Sequence, residues 1–240
     1  MIVSGKISVK AILENAKREI NRIILLEDLV NKDVAYIKRI AKDYPIEYMK
    51  RDEMDELCEN KTHGGYAIDC GNRLSDSLDD LNPKGSLSLL CVEGLRDPFN
   101  LGEILRTIHS LGFDGLISSS YNFYEHEAKL IRASAGSSEK LWWFQSDELE
   151  KDLSRLREKN IDLIAAHRDD KSIPLQNLMI PDRSCFVLGG ALRGLSRKVR
   201  DECNMSSRIE YSARTSLSTV GACTVFAYEN FRQKGGKYEN

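Results

Sequence analysis

The sequence predicts an α/β protein in two parts, a small α/β unit followed by a larger one built on a mainly parallel sheet. Three observations predict it. Runs rich in β-branched residues alternate with amphipathic helical stretches along most of the 240 residues. A polar stretch at 76–88, DSLDDLNPKGSLS, broken by Pro83 and Gly85, separates two such series. In the second series a strand, a polar turn and an amphipathic helix follow one another up to Gly112, the repeating unit of parallel sheets.

In the first series, residues 9–21 read as a helix with Ile12, Leu13, Ala16 and Ile20 on one face. RIILLED follows as a buried strand. Asp33 reads as the N-cap of a second helix carrying Ala35, Ile37, Ile40 and Ala41. Pro45 ends that helix, and PIEYM is a strand. Residues 52–59 form a short helix, and HGGYAIDCG is a glycine turn entering a strand. These elements place a small domain at 1–78, a linker at 79–87 and a larger domain at 88–240. In the larger domain SLSLLCV, DGLISSS, KLWWFQ, DLIAAH, SCFVLGG and RIEYSA are strands, with helices at 147–159 and 216–233 among the connections. The last helix carries Val220, Cys223, Phe226, Ala227, Asn230 and Phe231, which suit either a core or a dimer surface.

Composition narrows the function classes. A net charge of −2 gives no overall attraction for nucleic acid, so any RNA binding rests on local basic clusters. Such clusters (Lys17, Arg18 and Arg22; Lys38, Arg39 and Lys42; Lys50 and Arg51) are interleaved with acidic residues and read as solvated faces. Six cysteines show no C-x-x-C or Cys/His ligand spacing, so reduced thiols and no metal are expected. No apolar run reaches the roughly 18 residues a membrane span needs. A cytoplasmic protein is expected.

The most informative stretch is VEGLRDPFNLGEILRTIHSLG, Val92 to Gly112. Asn100 reads as the helix N-cap, and Arg106 stands about two turns further on. Ile104, Leu105, Ile108 and Leu111 make the apolar face, with Glu103 and Arg106 turned away from it. The turn lies beyond the C-terminal end of a parallel strand, where open α/β proteins hold their ligands. No G-x-G-x-x-G fingerprint follows a strand, which weighs against a dinucleotide enzyme.

The pattern D-P-x-N-L-G-x-x-x-R-T resembles the first motif of the SpoU/TrmH family of RNA ribose 2′-O-methyltransferases in the SPOUT superfamily. FVLGGALRGLS resembles the second motif, and RIEYSARTSLSTVGACTVFAYENFRQ the third. The resemblance implies a C-terminal α/β domain with a trefoil knot, preceded by a small α/β RNA substrate-binding domain. It implies S-adenosyl-L-methionine as cofactor, a homodimer, and RNA as partner. The N-terminal extension favours ribosomal over transfer RNA. Carried over by motif, the catalytic residues are Arg106, Asn100 and Ser216. The cofactor residues are Gly189, Gly190, Ile209, Leu217 and Ser218. Arg132, in IRASAGSSEKL, and His63, beside Gly64 and Gly65, match the RNA-contact positions. The structural alternatives are a solvated helix charge for Arg106, core packing for Ile209 and Leu217, and a turn residue for His63.

The chain departs from the family pattern. Ala191 stands where the second motif has a glutamate, Glu210 and Tyr211 replace proline and methionine, and Ser218 replaces an asparagine. Gly64 stands where relatives often have glutamine. Arg193, Arg197 and Arg214 lie near these changes. The changes leave open a SPOUT-fold protein that binds RNA without methylating it.

Overall fold

The computed structural model describes residues 1–82, 84–121, 123, 126–190, 193–212 and 215–235. The chain forms two compact units, Met1–Leu74 with Asn122–Lys140, and Ser75–Tyr121 with Leu141–Asn240. The first opens with β1 (Ile2–Ser4), α1 (Lys6–Asn15), β2 (Ile20–Leu26), α2 (Lys32–Ile40), β3 (Ile46–Met49), α3 (Arg51–Leu57) and β4 (Tyr66–Cys70). The second begins with β5 (Leu87–Glu93), α4 (Pro98–Ser110) and β6 (Gly115–Ser119). The chain then supplies α5 (Glu127–Ala133) and α6 (Ser137–Lys140) to the first unit. It resumes the second with β7 (Trp142–Ser146), α7 (Leu149–Glu158), β8 (Asp162–Ala166) and β9 (Ile173–Pro174). β10 (Arg183–Gly189), α8 (Arg197–Asp201), β11 (Met205–Arg208) and α9 (Thr219–Lys234) complete it.

In the first unit β4 runs antiparallel to β1 and β2, and β3 lies parallel to β2, in the order β1-β4-β2-β3. Ile23, Leu25 and Ile68 face α1 and α2, while Ile24 and Ala67 face Met54 of α3. Ile131 of α5 is fully buried in the α1/α2 core.

Three sequence expectations are corrected here. The helix expected at 9–21 ends at Asn15, because Ala16 turns left-handed (φ 49°) with its N–H on Ile12 O. Ile20, read as part of that helix's apolar face, begins β2 instead. Asn31, not Asp33, caps α2; its Oδ1 accepts the N–H groups of Asp33 and Val34. The Asp33 carboxylate pairs with Lys6 and Lys10 of α1, which hold it below the usual carboxylate range.

All seven strands of the second unit are parallel, in the order β7-β6-β5-β10-β8-β11-β9. Alternate residues serve opposite faces. Leu89, Cys91, Ile117, Leu163 and Val187 pack with Leu153 and Leu156 of α7. On the other face Phe186 meets Phe226 of α9, with ring centroids 5.5 Å apart. Cys223, Phe226, Ala227 and Asn230 form the buried side of α9, while Val225 and Tyr228 are exposed.

The polar stretch 76–88 is built into this unit. Leu78 and Leu81 are buried in its core, and Asp76 Oδ2 accepts Trp143 N–H at 2.8 Å. The strand expected at RIEYSA is displaced: β11 ends at Arg208, and Glu210 is exposed beyond it. β9, only two residues long, carried no readable pattern. Among the described residues no helix is long and apolar enough to cross a membrane.

Candidate active site

The parallel sheet brings the three motifs to one edge. β5, β10 and β11 end at Glu93, Gly189 and Arg208, and each is followed at once by motif residues. Parallel strands share the direction of their C-terminal ends, so the segments that follow emerge on the same side.

After β5 the chain turns at Gly94 (φ 72°) and enters α4 with Pro98 in its first turn. Asp97 is the N-cap, accepting from Phe99 and Asn100 N–H. The expectation that Asn100 caps the helix is therefore corrected: an aspartate followed by proline is the stronger start signal. Asn100 lies in the first turn, exposed and relieved of capping duty. Leu101, Ile104, Leu105 and Ile108 are buried, leaving Asn100, Glu103 and Arg106 exposed at three-residue spacing. The Arg106 guanidinium has no hydrogen bond or ion pair among the described residues.

Backbone hydrogen bonds tie down the described glycines that follow β10. Gly190 N–H donates to Glu93 O at 2.8 Å, and Gly194 N–H donates back to Gly190 O at 3.0 Å. A Cβ on Gly189 would lie 2.0 Å from Gly194 C, so no other residue fits there without displacing that backbone. Glu93 Oε2 accepts Ser196 N–H at 2.7 Å, and Ser196 caps α8. Glu93 thus braces the second motif from the end of β5; its place at a strand end was the only sequence signal for this role. Ala191 and Arg214 lie outside the described residues. Arg193 is exposed, and Arg197 pairs with Asp201 at 3.5 Å.

In the third motif Ser216 and Ser218 are exposed, as is Leu217 at 43%. Ser218 caps α9 through Oγ, which accepts Gly221 N–H at 3.1 Å. Serine and asparagine are comparable N-caps, so this replacement preserves the helix start. Half-buried Ile209 lines an open groove of about 520 Å³ with Leu175, Val225 and Tyr228. Leu217 is not among the residues lining that groove. Glu210 accepts from Gln176 at 2.9 Å and pairs with Arg208 at 3.4 Å, which fixes the segment leaving β11.

The remaining expected residues come together in the first unit. His63 is fully buried; its Nδ1 accepts Gly65 N–H at 3.0 Å, and its Nε2 lies 2.7 Å from Asp55 Oδ1. With both nitrogens engaged it holds the glycine turn and presents no atom to a ligand. These contacts favour the turn-residue reading of His63. Arg132 on α5 is exposed and donates to Thr62 Oγ1 at 2.9 Å and Asn60 Oδ1 at 3.3 Å, beside the same turn.

No group of His, Cys, Asp and Glu among the described residues could hold a metal ion. Burial drives the thiols of Cys91 and Cys185 well above their ordinary range, which makes them poor nucleophiles. Among the described residues the three motifs offer the unpaired guanidinium of Arg106, the exposed amide of Asn100 and hydroxyl of Ser216, and glycines whose close approach is backbone to backbone.

Two families match the chain. The SpoU rRNA Methylase family matches residues 88–228, and the RNA 2′-O ribose methyltransferase substrate binding family matches residues 2–72. A Staphylococcus aureus (strain COL) chain assigned to the TrmH family of tRNA/rRNA methyltransferases is 27% identical over 222 residues, 90% of this chain and 89% of its own. The 23S rRNA (guanosine-2′-O-)-methyltransferase RlmB of Shewanella oneidensis is 26% identical over 240 residues, 97% of each chain. Among solved structures, the SpoU methyltransferase AviRb of Streptomyces viridochromogenes in complex with the cofactor AdoMet superposes with a TM-score of 0.79. It is 20% identical and covers 98% of this chain and 90% of its own.

Proposed function

We propose that this chain, which belongs to the SpoU rRNA methylase family, transfers the methyl group of S-adenosylmethionine to a ribose 2′-hydroxyl of ribosomal RNA, as a cytoplasmic homodimer. That it is an RNA methyltransferase follows from the family. The observation that carries the finer reading is the presence on one chain of both matches, a substrate-binding segment at 2–72 and a methylase segment at 88–228. Ribosomal RNA is favoured because the RlmB relative, which acts on 23S rRNA, aligns over nearly the whole of both chains.

The chemistry asked of the protein is small in parts and strict in geometry. The ribose oxygen attacks the methyl carbon as the carbon–sulfur bond breaks, and the hydroxyl proton leaves to solvent. Negative charge grows on that oxygen beside a phosphate that is already negative. Arg106, which is exposed, holds that phosphate and stabilises the growing charge in this reading. Asn100, on the same exposed side of α4, orients the ribose, and the exposed Ser216 hydroxyl supplies a further hydrogen bond.

S-adenosylmethionine supplies the methyl group. Its fit rests on the glycine loop, where Gly189 and Gly190 let backbone atoms make the contacts. Ile209 and Leu217 offer apolar surface to the adenine, and Ser218 contributes by starting α9. Arg132 is an RNA-phosphate contact, and His63 positions the turn beside it. The exposed Val225 and Tyr228 of α9 supply surface for a second copy.

The test is incubation of the protein with methyl-labelled S-adenosylmethionine and unmodified transcripts of 23S ribosomal RNA or of transfer RNA. Label at a ribose oxygen of the ribosomal transcript is expected. Transfer to a base, or only to transfer RNA, would overturn the reading.

A further inference from the structure

Arg18 sits between the left-handed end of α1 and the start of β2, in a cluster that reads as solvated. The structure buries it completely: its side chain is 1% exposed, against 4% for Glu127 and 0% for Glu139. Its Nε and Nη2 grip both oxygens of Glu139 at 2.9 and 3.0 Å. Nη1 reaches Glu127 and also donates to Gly71 O at 3.1 Å. Glu127 further accepts Arg73 N–H at 3.3 Å, and Glu139 accepts the Ser138 hydroxyl at 3.2 Å.

A buried triad of this kind is a poor way to gain stability. Desolvating three charges costs so much that well-packed apolar replacements are often as stable or more so. What a planar guanidinium fork supplies in return is fixed geometry. Here it fixes α5 and α6. The chain between them passes through Ala135 and Gly136, both at positive φ, and a Cβ on Gly136 would lie 2.5 Å from Ala11 Cβ of α1. Glu127 opens α5 and Arg132 stands in its last turn, so the fork at one end of a short rigid helix sets the guanidinium at the other. Only Nη2 of Arg132 is engaged among the described residues; its other nitrogens are left for a ligand.

We propose that Arg18 is a positioning residue for RNA: by clamping Glu127 and Glu139 it holds α5 so that Arg132, braced on Asn60 and Thr62, meets an RNA phosphate. The inference rests on the reading of Arg132 as an RNA contact.

The test uses full-length protein, S-adenosylmethionine and a 23S ribosomal RNA transcript. The variant Arg18→Met/Glu127→Gln/Glu139→Gln removes all three charges and should melt near the wild type. Its KM for RNA is expected to rise about tenfold, the loss of one charge-assisted contact, with kcat and cofactor affinity unchanged. Adding Arg132→Ala to it should raise KM no further. Arg18→Lys, which keeps the charge and loses the fork, should raise KM about threefold without a change in kcat. Wild-type KM in either Arg18 variant, or effects that add to those of Arg132→Ala, would overturn the inference while leaving Arg132 in place. If Arg132→Ala alone left KM unchanged, the reading of Arg132 itself would fall, and this inference with it.

Discussion

Asp97 Oδ2 accepts the backbone N–H of Asn100 at 3.1 Å, so the aspartate of the first motif caps α4 and the asparagine does not. Asp97 thereby carries the helix start, and Asn100 is left to the chemistry proposed for it. Asp97→Ala should cost about 1 kcal/mol. Asn100→Ala should change stability by less than about 0.5 kcal/mol and lower kcat about tenfold or more. Thermal melting and methyl-transfer rates of both variants check this. Equal destabilisation by the two would undo that assignment.

Arg106 carries no structural duty among the described residues. Arg106→Ala should leave the melting temperature and the calorimetric affinity for S-adenosylmethionine unchanged. Its kcat should fall by about 10²- to 10³-fold, the usual loss for a transition-state charge stabiliser. Normal turnover would remove Arg106 from the mechanism.

The glycine loop separates two kinds of glycine. At Gly189 a methyl group would meet backbone 2.0 Å away, whereas at Gly194 (φ 62°) it would meet nothing within 4 Å. Gly194→Ala should cost only about 1 kcal/mol of backbone strain. Gly189→Ala should cost more than about 2 kcal/mol, the overpacking range, or abolish cofactor binding. Chemical denaturation and calorimetry would distinguish them, and a harmless Gly189→Ala would mean the loop is looser than described.

Lys234 closes α9 onto the start of the sheet, donating to Leu87 O at 3.1 Å and to Asp182 O at 2.9 Å. Burial lowers its pKa to about 8, against the pull of Asp114 and Asp182. An unfolded lysine keeps its proton to about pH 10.4. Between about 8 and that value the unfolded chain binds the extra proton, so folding stability gains from this residue as pH rises. Lys234→Met should lack that rise. Denaturation curves at pH 8 and pH 10 for both proteins provide the check, and parallel changes would refute it.

The motif residues of the methylase unit were legible because their spacing is local. Arg106 belongs to the exposed side of a helix whose apolar face is plain in the sequence, and the glycines of the second motif directly follow a strand. Choices between adjacent residues were not legible. Asn31 and Asp33 are both good caps for α2, as Asp97 and Asn100 are for α4, and only the backbone decides. Least legible was burial set by distant partners. Arg18 looks solvated until Glu127 and Glu139, more than a hundred positions along, fold against it.

The same α5–α6 segment limits how this protein can be taken apart or recombined. A fragment ending near residue 74 would keep Arg18 and lose both of its counter-ions, together with the Ile131 wall of its core. The first unit is therefore not a transplantable cassette. A chimaera that exchanges residues 1–74 with a relative has to exchange 122–140 as well, because the two stretches, far apart along the chain, close one core.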